Sequence, residues 1–258
     1  MLKYFFHCPE ENRPWYVTIF LSSCLGYTLY NHFNTYDFNG LILYTYISTY
    51  FLCGLFYLTD VYYEKNNSLH EKRFSKIKKI DYDKFIKGTI NCVYNSTLIN
   101  TSSRMLLFYP ILKYKGYDKW NIKDYTQCEI FCSIFFTLII ADIYFYFMHR
   151  LFHKSRLLYN NIHYLHHTFV DTYASIFNSG HMLESLILNE GFIMVPLIFT
   201  HLPKELIFIW ILLATSSAII THSDYDILGI SHVIHHKKYN KNYGFDFINL
   251  DYFFNTNN

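Results

Sequence analysis

The sequence predicts an all-α protein: a polytopic membrane helix bundle with a histidine-lined di-metal site at the cytoplasmic helix ends. Three observations predict it. Hydrophobic residues make up 52% of the 258 positions and charged residues only 16%, against about 25% charged in a typical soluble domain. The apolar residues gather into runs of roughly the 20 residues that a helix needs to cross about 30 Å of hydrocarbon. Histidines then recur at spacings of three and four beside those runs. An excess of tyrosine (26) and phenylalanine (25) suits a chain that faces lipid and its aqueous boundary.

The elements follow in order. Trp15 to about Tyr30 is the first apolar run. No small-residue cleavage site follows it, so it reads as a retained anchor rather than a secretory signal. Phe38–Leu58 is the second run, and Asn31–Asp37 separates the two into a hairpin whose outer ends share one side. The polar stretch from Tyr62 to Lys87 carries Lys65, Lys72, Arg73, Lys76, Lys78, Lys79, Lys84 and Lys87. The positive-inside rule places that loop and the N-terminus in the cytoplasm, where it reads as a solvated, phosphate-facing surface. Gly88–Leu112 is a weaker helix, interrupted by Asn91, Asn95, Asn100 and Arg104. It is either a membrane helix partly buried in protein or an interfacial one, and the lysines between 113 and 123 leave the topology of 88–125 open. Cys128–Met148 is strongly apolar and runs straight into His149. Met182–Thr200 and Leu206–Thr221, split by His201-Leu202-Pro203, form a last pair that returns the chain to the side it left. The chain therefore divides into residues 1–125, with the hairpin, basic loop and weaker helix, and residues 126–258, with the histidines.

Composition excludes other classes. A net charge of +2 without an arginine-rich face gives no sign of nucleic-acid binding. The six cysteines form no CxxC pair, so they read as reduced packing residues rather than a zinc ribbon or disulfide framework.

Ten of the 14 histidines form a pattern: His149-x3-His153, His163-xx-His166-His167, His181, His222 and His232-xx-His235-His236. Positions three and four apart share one helical face, so each box can offer imidazoles to a common point at a helix end. The three boxes supply eight ligands, and His181 and His222 could raise the count to ten. That is too many for one metal ion and suits two. Eight imidazoles beside membrane helices would be costly to bury without a task. Imidazole serves zinc, copper, iron and nickel alike, so the residues alone do not choose the metal. Asp142 precedes His149 by seven positions, about two turns, and could orient an imidazole from behind. Asp224, Asp226, Asn242 and Asp251 are similar candidates, and Glu184 follows His181 by three and could pair with it.

The stretch from Asp142 to Thr256 resembles the fatty acid hydroxylase/sterol desaturase superfamily, among whose members are C-4 methylsterol oxidase, sterol C-5 desaturase and cholesterol 25-hydroxylase. The resemblance rests on "DIYFYFMHRLFH", "LLYNNIHYLHHTF", "HSDYDI" and "HVIHHKKYNKNYGFDFINLDYFFNT" with its closing Asp-x4-Thr. Only nine residues separate His153 from His163, which fits this superfamily better than the acyl desaturases. Residues 126–258 are thus similar to its catalytic domain. The resemblance implies a non-haem di-iron centre that uses O2 as co-substrate to hydroxylate or oxidise an unactivated C–H bond of a lipid, a sterol being favoured. It also implies an endoplasmic reticulum membrane location with the metal site facing the cytoplasm. Electrons would come from NAD(P)H through a cytochrome b5-type donor or a reductase, since the chain carries no haem, flavin or GxGxxG motif. Two alternatives stay open: a sphingolipid or fatty acyl hydroxylase or desaturase, and a non-catalytic membrane metal-binding protein. The resemblance departs at two places. His222 and His232 are only ten positions apart, and "FNSGHMLES" matches loosely.

Overall fold

The computed structural model describes residues 36–226, 231–245 and 247–257. The expected first span, Trp15–Tyr30, lies outside the described residues. Among those described there are helices and loops and no strand. The second expected run lies within α1, Tyr36–Lys65. This helix ends where Asn67 takes a left-handed φ of 54°, a conformation asparagine tolerates at helix ends. The Ser68 N–H then donates back to the Tyr63 carbonyl at 2.9 Å.

The weaker helix forms as a continuous helical run over 82–114, here α2. Asp81 starts it by accepting from the Lys84 N–H at 3.1 Å, an N-cap that uses a donor with no partner inside the helix. Two π-helical stretches, Asn95–Asn100 and Arg104–Phe108, widen it. Its asparagines and Arg104 are buried, because they turn toward protein rather than lipid. Asn95 donates to the carbonyls of Asn178 and Gly180 at 2.9 and 3.0 Å, and Arg104 pairs with Glu190. At Gly88 a side chain would collide with Ile176 and Phe169, so α2 lies directly on the 169–176 segment.

α3, Gln127–Lys154, opens with a reciprocal cap: the Thr126 hydroxyl accepts from the Glu129 N–H and the Glu129 carboxylate accepts from the Thr126 N–H, a capping box. Its outer face presents Phe131, Phe135 and Phe136 to the surroundings. Ser155 ends α3 and starts α4, the helical run 156–167, by accepting from the Leu158 N–H. α5 is Met182–Phe199, with a π-helical stretch at Ser185–Glu190. It packs closely on α3, where Tyr144 lies over Gly191 and donates to the Ile187 carbonyl at 2.7 Å. α6, Lys204–Thr221, follows after 200–203. Helices α3, α5 and α6 are long and apolar enough to cross a membrane. Short helices α7, Ser231–Lys238, and α8, Leu250–Phe253, complete the described chain.

The largest apolar cluster joins Phe108 and Leu112 of α2 to Ala141, Phe192, Leu197, Trp210 and Ile211 of α3, α5 and α6. The core thus draws on both sides of position 125. One member of the basic loop corrects its reading as a solvated surface. Arg73 is fully buried, with Nε 2.9 Å from Asp224 and Nη1 3.2 Å from Asp60. It also donates to the Thr172 carbonyl. Two carboxylates draw this cation inward, whereas Lys72, Lys76, Lys78 and Lys79 stay exposed.

Candidate metal centre

Nine histidines meet in two adjoining groups. His149, His153, His163, His167 and His235 form one; His166, His222, His232 and His236 form the other. Within each group the ligand nitrogens all lie within 4.8 Å of one another. The helices explain the division. His149 and His153 occupy one face of the last turns of α3, and α4 folds back at Ser155 to bring His163, His166 and His167 alongside. A π-helical turn, Tyr159–His163, precedes them. In the second box the pair four apart, His163 and His167, joins the first group while His166 crosses to the other. In the third box His232 and His236 stay together and His235 crosses. His222, at the end of α6, completes the second group, its Nε2 3.0 Å from that of His232.

Backbone carbonyls fix the tautomers. The Nδ1 of His149 lies 2.9 Å from the Tyr243 carbonyl, that of His166 2.8 Å from Ser179, that of His222 2.7 Å from Ala218 and that of His235 2.7 Å from Lys241. A carbonyl only accepts, so each of these nitrogens carries the proton and each Nε2 is a bare lone pair. Yet the Nε2 atoms converge. His153 is 3.0 Å from His235, 2.8 Å from His163 and 3.1 Å from His167. Neutral imidazoles have too few protons to turn such an array into hydrogen bonds, and the buried His236 ring has no hydrogen-bond partner at either nitrogen. Cations satisfy these lone pairs, so the donor set fits bound metal. Burial also keeps the imidazoles of the loops and short helices neutral. It lowers His166 to about 4 and, helped by neighbouring His166, His222 to about 3. It carries His163, His167, His232, His235 and His236 well below the ordinary value, with neighbouring imidazoles adding to the effect.

The closing segment of the chain braces the first group. Asp251 accepts from the N–H groups of Tyr243 and Gly244 at 2.9 and 2.6 Å. The Thr256 hydroxyl donates to Asp251 at 2.6 Å, and the Thr256 carbonyl accepts from the Asn242 N–H at 2.7 Å. The Asp-x4-Thr pattern therefore holds the loop whose carbonyls orient His149 and His235.

The other candidates fall as follows. His181 lies outside both histidine groups; it caps α5, its Nδ1 accepting from the Leu183 N–H at 3.1 Å. Asp142 is buried and accepts from the Ile248 N–H. It ties down the same closing segment, while His149 takes its Nδ1 partner from Tyr243. Asp224 pairs with Arg73, and Asp226 is exposed. Glu184 approaches not His181 but His163, Oε1 to Nδ1 at 3.0 Å, with His166 Nδ1 at 3.9 Å. Sequence reasoning missed the carbonyls of Ser179, Ala218, Lys241 and Tyr243, because a backbone acceptor leaves no residue-type signal.

A cavity of about 370 Å³ opens on these histidines, toward the lower end of the roughly 300–1,000 Å³ usual for small-molecule sites. Apolar side chains including Phe145, Phe177, Leu188, Phe192, Ile193 and Ala214 wall it, and His149, His163, His166, His222 and His232 line it. Tyr46, Asn100 and Arg104 reach it from α1 and α2.

Comparison with known proteins adds sequence relatives. The fatty acid hydroxylase family model matches residues 134–256. Methylsterol monooxygenase 1 of Gallus gallus is 33% identical over 130 residues, 46% of this chain and 43% of the relative. Fatty acid hydroxylase ahd1 of Mycosarcoma maydis is 29% identical over 237 residues, 88% of this chain and 61% of the relative. C-4 methylsterol oxidase erg25 of Schizosaccharomyces pombe is 33% identical over 98 residues, 36% and 32% of the two chains. The matches span less than two thirds of the length of these relatives. No solved structure matches.

Proposed function

Residues 134–256 belong to the fatty acid hydroxylase/sterol desaturase superfamily, and from that premise we propose a membrane-bound non-haem di-iron oxygenase that hydroxylates or oxidises an unactivated C–H bond of a lipid. The observation that carries the proposal is the convergence of nine histidine side chains into two adjoining groups, four of them with Nε2 left as a bare lone pair by a backbone carbonyl at Nδ1. A sterol is the favoured lipid, in keeping with the methylsterol oxidase names among the relatives. The fatty acid hydroxylase of Mycosarcoma maydis, aligned over 88% of the chain, supports a fatty acyl substrate as the second reading, with a sphingolipid as its variant.

The nine histidines would hold the ions, while His181 lies outside both groups and caps α5. Iron bound there supplies activation of O2 for removal of hydrogen from the C–H bond. The chain's own residues do the rest. Carbonyls of Tyr243, Ser179, Ala218 and Lys241 aim the imidazoles, and Glu184 steadies His163. Phe145, Phe192 and Ile193 exclude water from the cavity and hold the lipid against the histidine face. Electrons would arrive from NAD(P)H through a cytochrome b5-type protein or a reductase. The exposed lysines Lys72, Lys76, Lys78 and Lys79 offer such an acidic partner a docking surface, and their charge favours a cytoplasmic site at the endoplasmic reticulum membrane.

The test is incorporation of ¹⁸O from ¹⁸O2 into a lipid, or O2-dependent formation of a new double bond, by the full-length protein supplied with reductant. Alanine at His166, His167, His235 or His236 should abolish it. Metal binding without O2 consumption would replace this reading with that of a non-catalytic metal-binding protein.

A further inference from the structure

The cavity has a second polar feature besides the histidines. Arg104 of α2 is 5% exposed and lines it. Glu190 of α5, fully buried, takes Nε at 2.6 Å and Nη2 at 3.0 Å. The Nη1 group of Arg104 meets no acceptor among the described residues. One turn earlier Asn100 lines the same cavity, its Oδ1 accepting from the Ser185 hydroxyl at 2.6 Å, and its amide nitrogen likewise has no partner among the described residues. Residues four apart share a helix face. Among the described residues two sets of unmatched donors thus belong to side chains that line one largely apolar cavity, where leaving a buried donor unsatisfied costs about 1–3 kcal/mol.

We propose that Arg104 and Asn100 form a subsite for a hydroxyl oxygen at one end of the lipid. The ion pair explains why the group is neutral. Glu190 already cancels the guanidinium charge, so a carboxylate ligand would add a negative charge that the Arg104–Glu190 pair does not balance. A hydroxyl oxygen accepts from both donors and brings no charge.

The subsite also addresses the carbon attacked, and in this it rests on the function proposed above. Glu184 sits against His163, and Glu190 follows it by six residues on α5. That is about 9 Å at the α-helical rise, somewhat less through a π-helical stretch. A lipid anchored by its oxygen at Arg104 therefore presents to the histidines a C–H bond removed from its hydroxyl along the axis of α5.

Binding to the full-length protein in nanodiscs, corrected for partition into empty discs, tests the subsite without requiring turnover. The probes are cholesterol against cholestane, and 1-octadecanol against octadecane and stearate. At least one alcohol should bind about tenfold more tightly than its hydrocarbon, the scale of a hydrogen bond to a charged donor, and 1-octadecanol should bind more tightly than stearate. The paired substitution Arg104→Met with Glu190→Met, which leaves no lone buried charge, should erase the preference with bound metal unchanged. If that variant loses its metal, Asn100→Ala carries the test and should reduce the preference at least threefold. No preference in the native protein, a preference for stearate, or a preference that survives these substitutions overturns the subsite. Failure to oxidise any lipid with the preference intact would instead overturn the oxygenase reading.

Discussion

The Nδ1 of His149 lies 2.9 Å from the carbonyl oxygen of Tyr243, so a histidine at the end of a long apolar helix is aimed by a loop near the C-terminus. Asp251 holds that loop through the N–H groups of Tyr243 and Gly244. Asp251→Ala should free the loop and lower metal affinity or activity by about 10–100-fold, the range for loss of a group that orients a ligand. Metal titration of the purified variant checks this, and a native affinity would show that the loop does not aim His149.

Glu184 acts from the other side of the first group, 3.0 Å from His163 Nδ1. Glu184→Gln keeps its shape but exchanges the carboxyl group beside His163 Nδ1 for an amide. Metal affinity should fall about tenfold while helix content by circular dichroism stays unchanged. A variant that binds metal as tightly as the native protein contradicts this role.

Arg73 and Asp224 tie the basic loop to the segment just after His222. Both side chains are fully buried, and Asp224 is held at a left-handed φ of 67°. Removing one partner strands a buried charge, so Arg73→Met or Asp224→Asn should destabilise the fold by about 3–5 kcal/mol, read as lower resistance to thermal unfolding in detergent. A double variant Arg73→Met, Asp224→Asn should lose less than the sum of the two single losses. Additive losses would mean that the two residues act independently.

Much of the site was legible because its signals are local. The i, i+3, i+4 spacing of the second and third boxes places their histidines together whatever the tertiary fold, and the apolar run before His149 marks the helix that carries it. The split of the second and third boxes between two groups was not legible, since it depends on how α4 and α7 face one another. Nor was Glu184's partner: three positions from His181 in sequence, it turns instead to His163. Arg73 was read with the neighbouring lysines as a solvated charge, because nothing in the sequence shows that Asp60 and Asp224 converge on it. The interrupting polar residues of Gly88–Leu112 were visible, but their burial against Asn178, Gly180 and Glu190 belongs to the tertiary structure.

The central claim is that the nine histidines form two metal sites rather than one. Its most direct measurement is metal content by mass spectrometry of full-length protein purified after growth in iron-replete medium, beside His236→Ala. The account predicts about two iron ions per native chain and about one in the variant, since His236 belongs only to the second group. One ion or none in the native protein, or two retained without His236, would contradict it.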